Sequence, residues 1–339
     1  MKSKKINFRI MLFVVSIAFF AFACKKDTTE VDLVGNWSEL SSLDGVPRSD
    51  AAGFMIGSKG YMGSGYDGKN RLSDFWEYDI ISNNWTQIAN LPGLARNGAV
   101  GFNSDSKGYI GTGFDGDNAL TDFYEYDPST NTWVKIDDLP AEPRYGAVAF
   151  SINNKGYVGT GYASSTLKDF YEYDTSSGAW KTINSITGDK RRDATSFVLN
   201  GKGYVITGIN NGVYESEVYA YNPSSGSWEK MKDIVNRNVD ENYDDNYTTI
   251  TRINAVGFAV GSKGYLAGGS SSSLVNNVWE YDPATDLWKE KTAFEGATRT
   301  EAIGWGYGNV GYIVTGRSSS YFLDDIWAFD PTAVYDENY

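Results

Sequence analysis

Residues 122–133 read DFYEYDPSTNTW and residues 74–85 read DFWEYDIISNNW. The fixed points are a tyrosine and a tryptophan seven residues apart, and the same interval joins Tyr173 to Trp180, Tyr221 to Trp228 and Tyr281 to Trp288. The residues between them, Asp-Pro-Ser-Thr-Asn or Asn-Pro-Ser-Ser-Gly, are turn formers, so the pair sits on neighbouring strands of a hairpin and not along one strand. The phrase starts once more at residue 325 as DIWAFDPTAVYD, but no tryptophan follows.

Working outward from the hairpin reveals a longer unit. An arginine opens each repeat: RSDAAGF at Arg48, RNGAVGF at Arg96, RYGAVAF at Arg144, RRDATSF at Arg191, RINAVGF at Arg252 and RTEAIGW at Arg299. The spacings are 48, 48, 47, 61 and 47 residues. Six residues past each aromatic comes Gly-Tyr, as in Gly60-Tyr61 and Gly108-Tyr109, and a further short run ends on Gly65, Gly113, Gly161, Gly208, Gly269 or Gly316. Runs such as Ser58–Gly60 and Asn154–Gly156 predict a first hairpin, with their glycine at positive φ. Alanine stands three residues into every repeat, at Ala51, Ala99, Ala147, Ala194, Ala255 and Ala302, a side chain small enough for strands crowded round a common axis. Four-stranded units of this length, six times over, predict an all-β, six-bladed β-propeller.

The missing tryptophan then has a place. Trp37 lies eleven residues before Arg48, the interval that also separates Trp85 from Arg96 and Trp288 from Arg299. GNWSELSSL is therefore expected to be the outer strand of the sixth blade, whose own third strand is expected to end near Phe329, so that the N-terminal strand closes the ring and covers an open edge.

GYDGKNRLSDFWEYD from Gly65 and GFDGDNALTDFYEYDPSTNTW from Gly113 resemble the Kelch repeat in glycine, loop, tyrosine and tryptophan, and the likeness covers residues 35–330. The repeat differs from the family's double glycine, since only Gly268-Gly269 has it and the other units carry Ser or Thr first.

Composition bounds the chemistry. The 339 residues include 37 Gly, 24 Tyr, 17 Phe and 10 Trp, but no histidine and one cysteine. Aromatic strands between glycine turns fit that balance. Residues 1–23 carry a basic start (Lys2, Lys4, Lys5, Arg9) and an apolar run, Ile10 to Ala23, too short to span a bilayer, which together read as a secretory signal. Ala21-Phe22-Ala23-Cys24 resembles the lipobox of bacterial lipoproteins, which implies cleavage before Cys24 and lipidation of its thiol. The expected organisation is a signal over 1–23, a tether over 24–33 and one propeller over 34–339. The expected location is the cell envelope, as an outer-membrane lipoprotein facing the periplasm or the exterior, touching the membrane only through its lipid.

Without the signal, 26 basic residues face 43 acidic ones, a net charge of −17. Such a balance argues against nucleic acid as a partner. Without imidazole or a free thiol, Ser-His-Asp triads, structural zinc and histidine-bound copper or iron are excluded, and no cofactor or metal site is expected. DGDN at Asp115–Asn118 and DENYDDNY at Asp240–Tyr247 lack the twelve-residue calcium-loop spacing and read as turns or solvated acidic loop.

In an up-and-down blade, the loops joining strand two to three and strand four to the next blade share one end. That end carries the variable loops, the one long insertion between Ile234 and Thr251, and the six arginines, so it is the expected working face. Two readings of the arginines are open. Each guanidinium pairs with a carboxylate such as Asp50, Asp193 or Glu301 and ties blades together, or Arg48, Arg96, Arg144, Arg191, Arg252 and Arg299 offer forked donors to a ligand. The resemblance to peptide-binding Kelch domains implies the second. Because Gly98 and Gly146 replace the acid in two repeats, Arg96 and Arg144 are expected to be the least compensated, with Phe114 and Tyr162 alongside.

The functional expectation is a non-catalytic scaffold for a glycan or protein ligand, anionic in character. The alternative is a carbohydrate-modifying enzyme. Galactose oxidase, a Kelch propeller, needs histidines that this chain lacks. The sialic acid mutarotase needs no metal, and resemblance to it implies Arg191 or Arg144 on a substrate carboxylate and Glu301 in proton transfer.

Overall fold

Alternating aromatic and small residues bounded by turn formers give each repeat four short antiparallel strands. The computed structural model describes residues 34–234, 247 and 250–336. The chain divides into Met1–Asp32 and Leu33–Tyr339, and all described residues belong to the second unit. The signal, Cys24 and the tether lie outside the described residues, as does most of the acidic insertion.

Blade one runs outward from the axis through Ala52–Ile56, Lys59–Gly63, Phe75–Asp79 and Asn84–Ile88, each strand paired with the next. The inner and outer strands of the following blades are Val100–Asn103 and Thr132–Ile136, Val148–Ile152 and Ala179–Ile183, Thr195–Leu199 and Ser227–Lys230, and Val256–Val260 and Leu287–Lys291. In the sixth blade, Ile303–Tyr307 is innermost and the N-terminal strand Val34–Glu39 is outermost.

The tyrosine and tryptophan of the opening phrase are directly opposite partners, Tyr126 against Trp133, with ring centroids 4.9 Å apart. The turn between them is built by Asp127, whose carboxylate accepts from the Ser129 amide, and by Asn131 at φ 52°. Asn131 Oδ1 also accepts from the Tyr126 hydroxyl and from the Ala89 amide of the preceding blade. The indole N–H of Trp133 donates to the Ala89 carbonyl at 2.8 Å, and Trp85, Trp180 and Trp228 reach back to the preceding unit in the same way. One residue pattern thus makes the hairpin and fastens it to its neighbour.

The Gly-Tyr glycine has a different role from the one expected. Gly60, Gly108 and Gly156 lie within or at the start of strands and not at positive φ; in blade one the left-handed turn residue is Gly57, at φ 60°. A Cβ on Gly108 would overlap the ring of Phe54 in the preceding blade, and Gly60, Gly156, Gly203, Gly264 and Gly311 receive the corresponding rings of Trp305, Phe102, Phe150, Phe197 and Phe258. The glycine is an inter-blade socket. The five socketed phenylalanines also stack on the tyrosine of their own blade, Phe54 lying 5.1 Å from Tyr61.

Closure is as the spacing predicts. Val34–Glu39 pairs antiparallel with Ile326–Val334, with Trp37 opposite Phe329, the register Trp85 has with Tyr78. Trp37 is fully buried, stacked 4.5 Å from Phe329 and edge-on to Phe294. The third strand does not end near Phe329 but continues to Val334, because its partner arrives from the other end of the chain and no hairpin turn has to interrupt it. Pro331 falls where the register shifts between Asn36 and Val34, a bulge at which a ladder N–H can be dispensed with.

Inside the insertion, Ile234, Tyr247 and Ile250 are buried in the core shared by blades four and five. The Tyr247 hydroxyl both donates to the Trp288 carbonyl, at 2.8 Å, and accepts from its amide.

Candidate functional site

The inner strands begin at the end of the ring that carries the variable loops, and here the arginine and the residue two places after it separate completely. All six opening arginines have no exposed surface. Arg96 grips Asp122 with both Nη atoms (2.6 and 2.8 Å), while its Nη1 donates to the Thr112 carbonyl and its Nε to the Leu94 carbonyl. Arg48 with Asp74, Arg144 with Asp169 and Arg299 with Asp325 repeat the fork. Burial alone would raise Asp74, Asp122 and Asp169, but the hydrogen bonds and charge of their arginines outweigh it and hold them below the ordinary carboxylate range.

Two expectations are corrected here. The partners are not Asp50, Asp193 and Glu301 but the acids that open the third strands, which lie beside the arginine in the same blade. Nor are Arg96 and Arg144 under-compensated: they hold Asp122 and Asp169, and as buried groups they do not line the mouth. Neither they nor Arg48, Arg191, Arg252 and Arg299 present free donors to a ligand there.

Blades four and five vary the fork. Arg252 donates through Nη2 to the Asn277 side-chain oxygen, and burial lowers its pKa to about 9. In blade four the acid is Glu217, one methylene longer. Arg191 Nη1 bonds its backbone carbonyl, and the carboxylate turns away to Lys230 and the Asp189 amide. Arg191 Nε and Nη2 have no hydrogen-bond partner among the described residues, although Nη2 lies 3.8 Å from a Glu217 oxygen.

Two residues after each arginine, Asp50, Gly98, Gly146, Asp193, Asn254 and Glu301 line the mouth, with the alanines below them. Their backbones form a closed ring of hydrogen bonds around the axis. The Asp50 amide donates to the Glu301 carbonyl, Gly98 to Asp50, Gly146 to Gly98, Asp193 to Gly146, Asn254 to Asp193 and Glu301 to Asn254, at 2.8 to 3.2 Å. All six are left-handed, with φ between 50° and 63°. Gly, Asn and Asp suit that region, whereas Glu301 adopts it against its preference.

The two glycines make room for acids from neighbouring blades. Asp50 Oδ2 lies 3.3 Å from where a Gly98 Cβ would stand, and Asp193 Oδ1 would clash with a Cβ on Gly146. Burial, then the charge of Glu301, raises Asp50 to about 7 despite a hydrogen bond from Asn97; burial raises Asp193 to about 6 against the charge of Arg192. Glu301 accepts from Arg317 Nε and Nη2 at 2.7 Å and from the Ser49 hydroxyl at 2.8 Å.

Around the carboxylates runs a belt of half-buried aromatic rings and guanidinium groups. Phe114 is 5.3 Å from Tyr145, which is 5.6 Å from Tyr162. Arg71 lies over Phe114 at 4.8 Å and over Tyr66 at 5.6 Å, while bonding Asn97; Arg192 lies over Tyr162 at 5.5 Å and pairs with Asp193. Phe114 and Tyr162 belong to this belt and are not among the residues that line the axial mouth. The accompanying cations are Arg71, Arg192 and Arg317, which the repeat-based reading passed over. The signal for them was available: the residue after each opening arginine, and the loop after each strand two, change from repeat to repeat. The mouth encloses about 120 Å³. DGDN is a hydrogen-bonded turn, Asp115 Oδ1 accepting from the amides of Asp117 and Asn118.

Residues 94–240 match the KLHDC2/KLHL20/DRC7 Kelch-repeats domain, and residues 65–92 match the Kelch motif. No curated protein matches the chain. Among solved structures, "Structure of YjhT" superposes with a TM-score of 0.70 at 17% identity, covering 84% of this chain and 95% of that one, a likeness of fold alone. Repeat motifs, six four-stranded blades and this superposition agree: the chain is a six-bladed Kelch-type β-propeller, its ring closed by an N-terminal strand in the last blade.

Proposed function

We propose that this propeller is a non-catalytic binding scaffold that takes a glycan at its loop-bearing mouth and is held at the bacterial cell envelope by a lipid on Cys24. The observation that carries the ligand class is the mixture at and around the mouth: carboxylate acceptors, guanidinium donors and half-buried aromatic faces within one ring. A sugar hydroxyl donates and accepts at once, and a pyranose presents an apolar face to an aromatic ring, so all three surfaces are used together. An anionic group on the axis would meet Asp50, Asp193 and Glu301, which favours a neutral glycan over the anionic one expected from the sequence. A glycan array probed with the purified propeller tests this. Binding is expected, and the double substitution Phe114→Ala/Tyr162→Ala weakens it at least tenfold. Capture of a protein with no glycan bound would instead select the protein-ligand form of the scaffold. For the anchor, Cys24→Ser is expected to move the protein from the membrane to the soluble fraction, and continued sedimentation with membranes would refute it.

A second reading has an observation of its own. Asp50 and Asp193, raised to about 7 and about 6, are poised for proton transfer near neutrality, as a sugar mutarotase or epimerase requires. In it Asp50 replaces Glu301 as acid–base group, since Glu301 is committed to Arg317, and Arg144 and Arg191 take no part. Anomer exchange of candidate sugars followed by NMR decides: acceleration abolished by Asp50→Asn establishes the enzyme, and no acceleration leaves the scaffold.

A further inference from the structure

The aromatic belt is broken on one side of the mouth. Where blades one to three carry Tyr66, Phe114 and Tyr162, blade five carries Ser270, paired with Ile253 as Tyr66 is paired with Ser49. A groove of about 460 Å³ opens there between blades five and six, and it shares Asn254 and Glu301 with the axial mouth. Its volume lies in the range of small-molecule sites.

The lining divides by chemistry. Ile253 and Leu274 are apolar, while Ser270, Ser273 and Ser319 bring hydroxyls. At the inner end stands the Glu301–Arg317 pair, in which three of the five arginine N–H groups are spent, two on Glu301 and one on the Ser319 carbonyl. Thr300, only 4% exposed, lines the same groove, and its Oγ1 has no hydrogen-bond partner among the described residues. A buried hydroxyl left without a partner is costly, and a ligand hydroxyl in the groove supplies one. Ser319 belongs to a hairpin, Arg317–Ser318 with Tyr321–Phe322, that rises from blade six, and Tyr321 on it is 75% exposed.

We infer that the groove between blades five and six is a subsite for one neutral pyranose ring, and this deepens the glycan reading on which it rests. The Glu301–Arg317 pair supplies acceptor and donor to adjacent ring hydroxyls, Thr300 Oγ1 bonds another, and Tyr321 is the aromatic ring that covers the sugar. A carboxylate on the sugar is disfavoured next to Glu301. The site thus separates neutral from acidic sugars by charge.

The test is saturation-transfer NMR and titration with the methyl pyranosides of glucose, galactose and mannose, and with methyl glucuronide as the acidic probe. At least one neutral glycoside is expected to bind, and the glucuronide to bind at least tenfold more weakly. Ser270→Tyr fills the groove with the residue type blades one and three already carry, and is expected to weaken binding at least tenfold with an unchanged melting temperature. Thr300→Val keeps the side-chain shape and removes the hydroxyl; a several-fold loss is expected. Val134→Ala, exposed on the outer strand of blade two and away from both mouth and groove, is expected to leave monosaccharide binding as it is. If binding survives Ser270→Tyr but is lost in Tyr162→Ala, on the belt across the mouth, the groove assignment falls and the glycan reading stands. If no glycoside binds to any form, both fall.

Discussion

The opening arginine and the residue two places beyond it are neighbours in sequence with opposite fates. The first is the same in all six repeats and is buried against strand three of its own blade. The second varies as Asp, Gly, Gly, Asp, Asn, Glu and stands at the mouth. In a repeat protein every unit must solve the same packing problem, so what is shared serves the ring and what differs is free to serve a ligand. Six cations on inner strands look like a binding site when counted along the chain, but in the fold they are its internal ties, and the mouth they were expected to make positive is lined by carboxylates.

Removing a tie should show this most strongly. Arg96→Ala leaves Asp122 as a partly buried charge without its partner, and a loss of about 3–5 kcal/mol in urea unfolding is expected. If stability holds while ligand affinity falls, the division between tie and mouth is mistaken.

Blade four sharpens the comparison, because there the tie is imperfect. Glu217→Asp shortens the acid to the length that forks in blades one to three, and should give Arg191 Nη2 a carboxylate partner. The exposed pair with Lys230 is lost, so the expected net gain is about 1 kcal/mol. A melting temperature that does not rise would mean that the Arg191 donors are satisfied in some other way.

The smallest effect is expected at the mouth and depends on pH. With its pKa raised from 3.8 to about 7, Asp50 binds its proton more tightly in the folded chain than in the unfolded one. Its contribution to stability is therefore complete below about pH 4 and is lost as the pH rises through 7. Asp50→Asn, which tolerates the left-handed backbone, should match the wild type at pH 4 and exceed it at pH 8 by on the order of 1 kcal/mol. The acids of the ties behave in the opposite sense: Asp74, Asp122 and Asp169 are lowered, so their contribution is present above the ordinary carboxylate pKa and disappears on further acidification. Thermal melts across pH 3 to 8 separate the two classes.

The sequence by itself determined the number of blades, the strand pairs within them and the closing strand, because these follow from local spacing. Tyr126 and Trp133 meet across a turn whose residues lie between them, and Trp37 keeps the same interval to Arg48 that its counterparts keep to theirs. It also singled out the end of the ring that carries the variable loops, where Phe114 and Tyr162 stand in the aromatic belt. What each arginine touches was decided only by the tertiary structure. Asp122 is 26 residues from Arg96 and Gly98 only two, yet folding the blade puts the distant residue in reach and turns the near one to the axis. The socket role of Gly108 was hidden for the same reason, since Phe54 comes from another blade. The raised carboxyls of Asp50 and Asp193 arise only when six chain segments separated by about fifty residues are closed into one ring, which brings like charges together and removes them from water.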